Sequence, residues 1–254
     1  MQRSGGPAQR LPLRLRDLHA RTAVGTSVPI TVPVAAAPGS RWAAGEPYAG
    51  RPSPHRWLVD VVVGAGFTVG AGPAADPGRG TLTVTAVAAR SLADTVGPDM
   101  RLLVCGLNPS LVAADAGYGF AGPTNRFWRA AVAAGAVTTE RDPLRALERD
   151  GLGMTDQVKR ATRAAAELDA SEYRTGLGRL DRLVAWLAPG AICFVGLAGW
   201  RAGGHPGARP GHQRETLGGR PVYVMPSTSG LNARTSLGAL TDHLGAALAL
   251  ADTG

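Results

Sequence analysis

The sequence predicts an α/β protein: a three-layer α/β/α sandwich with a mainly parallel central sheet, preceded by a partly disordered N-terminal extension. Three observations lead there. Beyond Met100, three continuous apolar runs of strand length, "RLLVCGL", "AICFVGL" and "RPVYVMPS", are each bounded by Gly or Pro, and uninterrupted apolar strands suit a sheet covered on both faces. Helical patterns lie between and after these runs, and strands alternating with helices imply parallel neighbours joined by right-handed crossovers. Residues 1–53, by contrast, are rich in Gly, Pro, Ala and Arg, a composition poor in the apolar periodicity needed to offset ordering entropy.

In chain order, residues 1–53 read as a disordered or loose basic arm, whose one strand-like run, "VPITVPV", carries two prolines. Residues 54–98 read as a small helix-strand segment with a linker. In it "PHRWLVDVVVGAGF" has a helical pattern ending at Gly64 to Gly66, "TLTVTAVAAR" alternates as a strand does, and "ADTVGPDM" closes the segment. Residues 99–254 hold the sandwich. Pro123 and Thr124 open the helical "PTNRFWRAAVAAG", which Gly135 ends, and Ser171 is positioned to cap "SEYRTGLGRLDRLVAWLAPG", where Leu177, Leu180, Val184 and Leu187 share a face. A last helix carries Leu237, Leu240, Leu244 and Leu248 at helical spacing. Ligands bind such sheets beyond the carboxyl ends of the strands, which points to the loops after Leu107 and after Met225.

Composition narrows the function classes. Hydrophobic residues at 44% and charged residues at 18% are ordinary for a globular chain, and no apolar run reaches the roughly 18 residues of a membrane helix. The basic N-terminus lacks an apolar core with a cleavage site, so a cytoplasmic protein with no membrane partner is expected. The net charge is +8. Residues 1–98 hold ten arginines against five carboxylates, and the remainder holds sixteen arginines and Lys159 against fourteen. Most of the basic excess therefore lies outside the organised region, where a solvated arginine-rich tail and a DNA-binding arm both remain open. Cys105 and Cys193 sit inside apolar runs and read as buried thiols, too few for a disulfide framework.

Four segments then occur in order: "GLNPS", "GFAGPTNRFW", "GMTDQVKRAT" and "MPSTSGLNAR". Together they resemble the successive motifs of the mismatch-specific uracil/thymine-DNA glycosylases, a branch of the uracil-DNA glycosylase superfamily, over about residues 100 to 250. The resemblance implies a monofunctional DNA repair glycosylase that flips uracil, or thymine or another damaged base, out of mismatched double-stranded DNA. It would hydrolyse the N-glycosidic bond and leave an abasic site for downstream repair enzymes. It implies a monomer with no metal and no organic cofactor.

The chemistry suits the residues. Glycosidic hydrolysis needs water held in line with an oxocarbenium-like sugar, and a neutral Asn side chain can position that water without deprotonating it; the resemblance gives this catalytic role to Asn108. Its bland alternative is a turn residue in an Asn-Pro dipeptide. Leu107, Ser110 and Phe120 are the implied base-binding residues, Phe120 by stacking on the extruded base. Ser227, Thr228, Ser229, Gly230, Leu231 and Arg234 are the implied DNA-binding set, with Leu231 as the wedge that fills the gap in the stack. Phe127 and Trp128 read as core, Asn125 as structural, and Arg126 as a candidate phosphate contact.

Some residues depart from the family pattern. Ser110 stands where many relatives have Gly, Asp156 where Asn or Lys is common, and "GLNAR" is one residue longer than the "GLSR" type. Met225 and Pro226 replace the His of the faster uracil-specific relatives, so a slower and less selective enzyme is expected. A non-catalytic damage or single-strand binding protein, and a nucleoside hydrolase, remain as alternatives; neither a nucleoside hydrolase's carboxylate cluster nor a G-x-G-x-G cofactor loop is apparent. All four motifs lie beyond residue 98, so residues 1–98 are expected to be dispensable for excision.

Overall fold

The computed structural model of the protein describes residues 7–37 and 53–253. Two sheets organise it. The first is antiparallel and built around one strand: β1 (Ser27–Pro33), β2 (Phe67–Val69) and β3 (Ala74–Asp76) all pair with β4 (Thr81–Ala88). Two helices, α1 (Leu11–Ala20) and α2 (Pro54–Gly64), pack on it. The alternation predicted for "TLTVTAVAAR" is visible in β4, where Leu82, Val84, Ala86 and Ala88 are buried and the residues between them are not.

The expectation of a loose arm over residues 1–53 meets a different finding at 7–37, which form α1 and β1; the rest of that segment lies outside the described residues. Prolines misdirect the reading because they remove ladder donors. On β1 they do no harm, since among the described residues this strand pairs on one side only, with Pro29 opposite Thr85 and Pro33 opposite Thr81.

The second sheet has the strand order β6-β5-β7-β9-β8, with β5 (Leu102–Gly106), β6 (Leu152–Asp156), β7 (Ala191–Val195) and β9 (Arg220–Met225) parallel and β8 (Gly211–Leu217) antiparallel at the edge. Its two faces bury alternate residues of each strand. Leu102 and Val104 join α4 (Phe127–Ala133) and α8 (Leu237–Ala251) in one apolar cluster, while Leu103 and Cys105 join α6 (Ala170–Leu187) and α7 (Leu197–Ala202) in the other. This is the predicted three-layer α/β/α sandwich. The remaining helices, α3 (Leu111–Ala116) and α5 (Pro143–Asp150), follow β5 and precede β6. Asp169, not Ser171, caps α6, accepting from the Ser171 and Glu172 amides while Glu172 reaches back to the Asp169 N–H. Leu240, Leu244 and Leu248 are buried along α8 as their spacing requires.

The segment read as a linker is interior. Asp94, Thr95, Val96 and Met100 are all buried, and Thr95 bridges to Met154 on the open side of β6. The antiparallel unit is fastened here too. The Asp94 N–H donates to the Gly64 carbonyl, Arg182 on α6 makes a bidentate ion pair with Asp60, and Trp57 meets Trp186 edge-on. Among the described residues no helix is long and apolar enough to cross a membrane.

Candidate active site

The parallel strands β5, β6, β7 and β9 end on one side of the sheet, and the unusual residues gather there. Asn108 stands two residues past β5. Past the end of β6, residues 157–162 keep running beside the chain that leaves β5: Gln157 N–H donates to Gly106, Val158 to Leu107 and Thr162 to Pro109. This prolonged pairing sets Asn108 among fixed acceptors. Its Nδ2 lies 2.8 Å from the Thr162 hydroxyl, 3.0 Å from the Arg160 carbonyl and 3.1 Å from that of Pro109. Both amide protons are thereby committed, and Oδ1, which makes no hydrogen bond among the described residues, is the group left to accept one.

Phe120 occupies a backbone conformation few bulky residues adopt, φ +59°, in the left-handed region that costs a non-glycine residue energy. Two contacts hold it. The Trp128 indole donates to the Gly119 carbonyl at 2.9 Å, and the Phe127 ring stacks on that of Phe120 at 4.1 Å with 21° between planes. Phe127 and Trp128 are buried, as core residues should be. Phe120 is half-buried, and with Tyr118 and Gly119 it lines a narrow cleft whose other wall includes Thr95, Met154, Thr155 and Asp156.

Asp156 ends β6, paired in register with Gly106. A side chain at Gly106 would collide with the Asp156 carboxylate, and the tip of the Phe120 ring lies 3.8 Å from the same point. The glycine therefore makes room for a carboxyl group against the aromatic ring. Burial, with a smaller push from the Asp94 carboxylate, raises the Asp156 pKa to about 6 against the opposing pull of the cations Lys159 and Arg179.

Beneath the cleft lies a buried ion cluster. Asp94 accepts from Lys159 at 2.7 Å, from Arg179 at 2.8 Å and from the Thr155 hydroxyl at 2.7 Å. Arg179 also donates to the Asp156 carbonyl at 3.0 Å. Burial alone would raise the Asp94 pKa, but Arg179 and Lys159 together outweigh it and hold the carboxylate below its ordinary range. The quoted motif "GMTDQVKRAT" contains Thr155, Asp156, Lys159 and Thr162, yet spacing alone does not reveal that they support the loop holding Asn108.

Other expected site residues have structural tasks. Leu107 packs toward Val158, Leu168 and Tyr173, and Ser110 caps α3 by accepting the Ala113 N–H at 3.1 Å. Thr228 is only 1% exposed, which withholds its hydroxyl from a surface ligand, and its carbonyl accepts the Arg126 N–H. The Ser227 hydroxyl accepts from the Ser229 N–H, and that of Ser229 from the Leu231 N–H, so both brace the turn. Gly230 lies so close to Thr124 that a Cβ would not fit. Leu231 is 97% exposed and Arg234 is exposed beside it. Arg126, a candidate phosphate contact by sequence, instead turns its guanidinium inward to the carbonyls of Ser229, Asn232 and Thr235.

The chain is similar to known proteins in two comparisons. A solution NMR structure of a "putative Uracil DNA glycosylase" from Methanosarcina acetivorans is similar over 63% of this chain and 97% of its own, at 20% identity and a TM-score of 0.44. The family model described as "Uracil DNA glycosylase superfamily" matches residues 93–249, which span the whole parallel sheet and every loop named above. Members of that superfamily are DNA glycosylases, and with more than half of its length matched the chain belongs to the uracil-DNA glycosylase superfamily.

Proposed function

We propose that the protein is a monofunctional glycosylase that removes uracil, and related damaged bases, from mismatched double-stranded DNA by base flipping. It acts as a monomer without a cofactor and leaves an abasic site for downstream enzymes. The anchoring of the Asn108 amide carries this reading. With Nδ2 committed to Thr162, Arg160 and Pro109, Oδ1 is the acceptor for a water aimed at the sugar carbon. A neutral amide orients that water and does not take its proton. Phe120 supplies a stacking surface for the extruded base, and the strain in its backbone is the cost of presenting it.

Asp156 gives the base cleft a feature of its own. In its protonated form the carboxyl donates to a base carbonyl; ionised, it accepts from an exocyclic amine. A pocket with that group discriminates less sharply than one with a fixed amide, which supports a range of substrates wider than uracil. Leu231, almost wholly exposed on a braced turn, is suited to fill the gap a flipped base leaves.

The test is an oligonucleotide with one uracil opposite guanine, incubated with the protein in EDTA and then treated with alkali. Scission at the uracil is the expected result. Cleavage of free deoxyuridine in preference to DNA would instead support a nucleoside hydrolase, and binding without scission a damage-binding protein.

A further inference from the structure

The exposed Leu231 is held in place by a residue that touches neither base nor sugar in the reading above. The guanidinium of Arg126 donates to the Thr235 carbonyl, to that of Asn232 at 2.6 Å and to that of Ser229 at 3.3 Å, while its own backbone N–H donates to Thr228 at 3.0 Å. These carbonyls lie on both sides of Leu231, so the arginine draws the turn around itself and leaves Leu231 at the outer apex. Asn232 braces the same arc from within, its Nδ2 donating to the Ser227 carbonyl at 2.8 Å and the Thr235 hydroxyl at 3.1 Å. The close contact of Gly230 with Thr124 closes the join.

The next residue in the chain, Phe127, backs the ring of Phe120. Consecutive residues thus hold the two parts of the machinery: Arg126 the leucine turn, Phe127 the stacking platform. We propose that Arg126 is a positioning residue that couples insertion of Leu231 to presentation of the base pocket, so that extrusion of a paired base depends on it more than hydrolysis of an unpaired one does. This rests on the glycosylase reading. A planar fork with five donors spread over three nitrogens suits the task; a lysine ammonium offers three donors from a single compact atom and reaches such an arc less well. Two of the guanidinium nitrogens are bonded to carbonyls of the turn, and it is through the turn, not through a phosphate, that the proposed role acts.

The experiment compares wild type with Arg126→Met and Arg126→Lys. Single-turnover excision is measured on uracil in a G·U duplex and in the same single strand, beside hydrogen exchange of the amides from Ser229 to Thr235. In Arg126→Met the duplex-to-single-strand rate ratio is expected to fall about tenfold or more, because unpairing is needed only in duplex. Turn amides are expected to exchange faster, and Arg126→Lys to recover only part of the ratio. Leu231→Ala should cost less on duplex in the Arg126→Met background than in wild type, the signature of two residues acting as one unit. The slope of duplex affinity against salt should stay the same, whereas loss of one phosphate contact would lower it by roughly one ion. Equal losses on both substrates, or a lowered salt slope, would overturn the coupling. Unchanged exchange in the turn would overturn the tether itself, whether or not the protein cuts DNA. Wild-type protein inactive on both substrates would instead remove the glycosylase reading.

Discussion

Nδ2 of Asn108 lies 2.8 Å from the hydroxyl of Thr162, a residue 54 positions further along the chain. That bond exists because the segment after β6 runs beside the exit from β5, and it fixes which end of the amide faces outward. Thr162→Val keeps the shape and the backbone bond to Pro109 but deletes the acceptor. The amide then holds its orientation through two carbonyls only. Loss of one such bond is worth about 1 kcal/mol, so the single-turnover rate on uracil DNA should fall roughly fivefold. DNA affinity should change little, and a wild-type rate in the valine variant would show that Thr162 does not orient Asn108.

Asp156 makes the fold less stable as pH rises from acid toward neutrality. Its pKa is raised from 3.8 to about 6, first by burial, with the charges of Lys159, Asp94 and Arg179 adding smaller effects of both signs. The native state therefore binds this proton more tightly than the unfolded chain does. The group favours folding where it is protonated, below pH 3.8, and withdraws that stability as pH rises through 6. Asp156→Asn mimics the protonated form. Its gain in unfolding free energy should be larger at pH 8 than at pH 4 by about 2 kcal/mol. Denaturant titrations of both proteins at the two pH values measure this; a gain independent of pH would contradict it.

Much of this architecture is legible in the sequence, and the gaps have physical causes. Strands β5, β7 and β9 are apolar on both faces and announce themselves. "LGMTD" does not, although all of its residues are buried in β6, because Gly153 and Thr155 interrupt the apolar run. The glycine lies against the Met100 side chain, which would have to shift to admit a Cβ there. Strand β8, "GHQRETL", is a polar edge strand with an irregular register, and its sequence reads as loop. Asn108, Phe120 and Leu231 stand out as candidates through the motifs, since each is an odd residue type for its place. The cluster of Asp94 with Lys159 and Arg179 joins residues 65 and 85 positions apart, and no local pattern encodes such a pairing.

That cluster changes what a truncation should do. The motifs alone suggest that residues 1–98 are dispensable, but a chain starting at Val96 lacks Asp94, the partner of two cations whose side chains are only 8% and 5% exposed in the full chain, where Gly64 of α2 lies against the cluster. Leaving buried charge uncompensated costs about 3–5 kcal/mol. A fragment beginning at Ala89 keeps Asp94 and the Ser91 hydroxyl bonded to the Lys159 carbonyl. It should melt cooperatively. The Val96 fragment should melt far lower or fail to fold, and Asp94→Ala in the full chain should lose a comparable amount. Equal melting temperatures for the two fragments would show that the cluster is not a stabilising element.

Asn108→Ala removes the free carbonyl end proposed to align the attacking water. The interaction is needed in the transition state and scarcely in the bound ground state. Single-turnover excision of uracil should therefore fall by roughly 10² to 10³-fold, the effect of losing one preorganised polar group. Titration of uracil-containing duplex on the same preparation should give nearly wild-type affinity, since Phe120, Leu231 and Arg126 remain. A variant that binds normally and excises at the wild-type rate would contradict the assignment of Asn108.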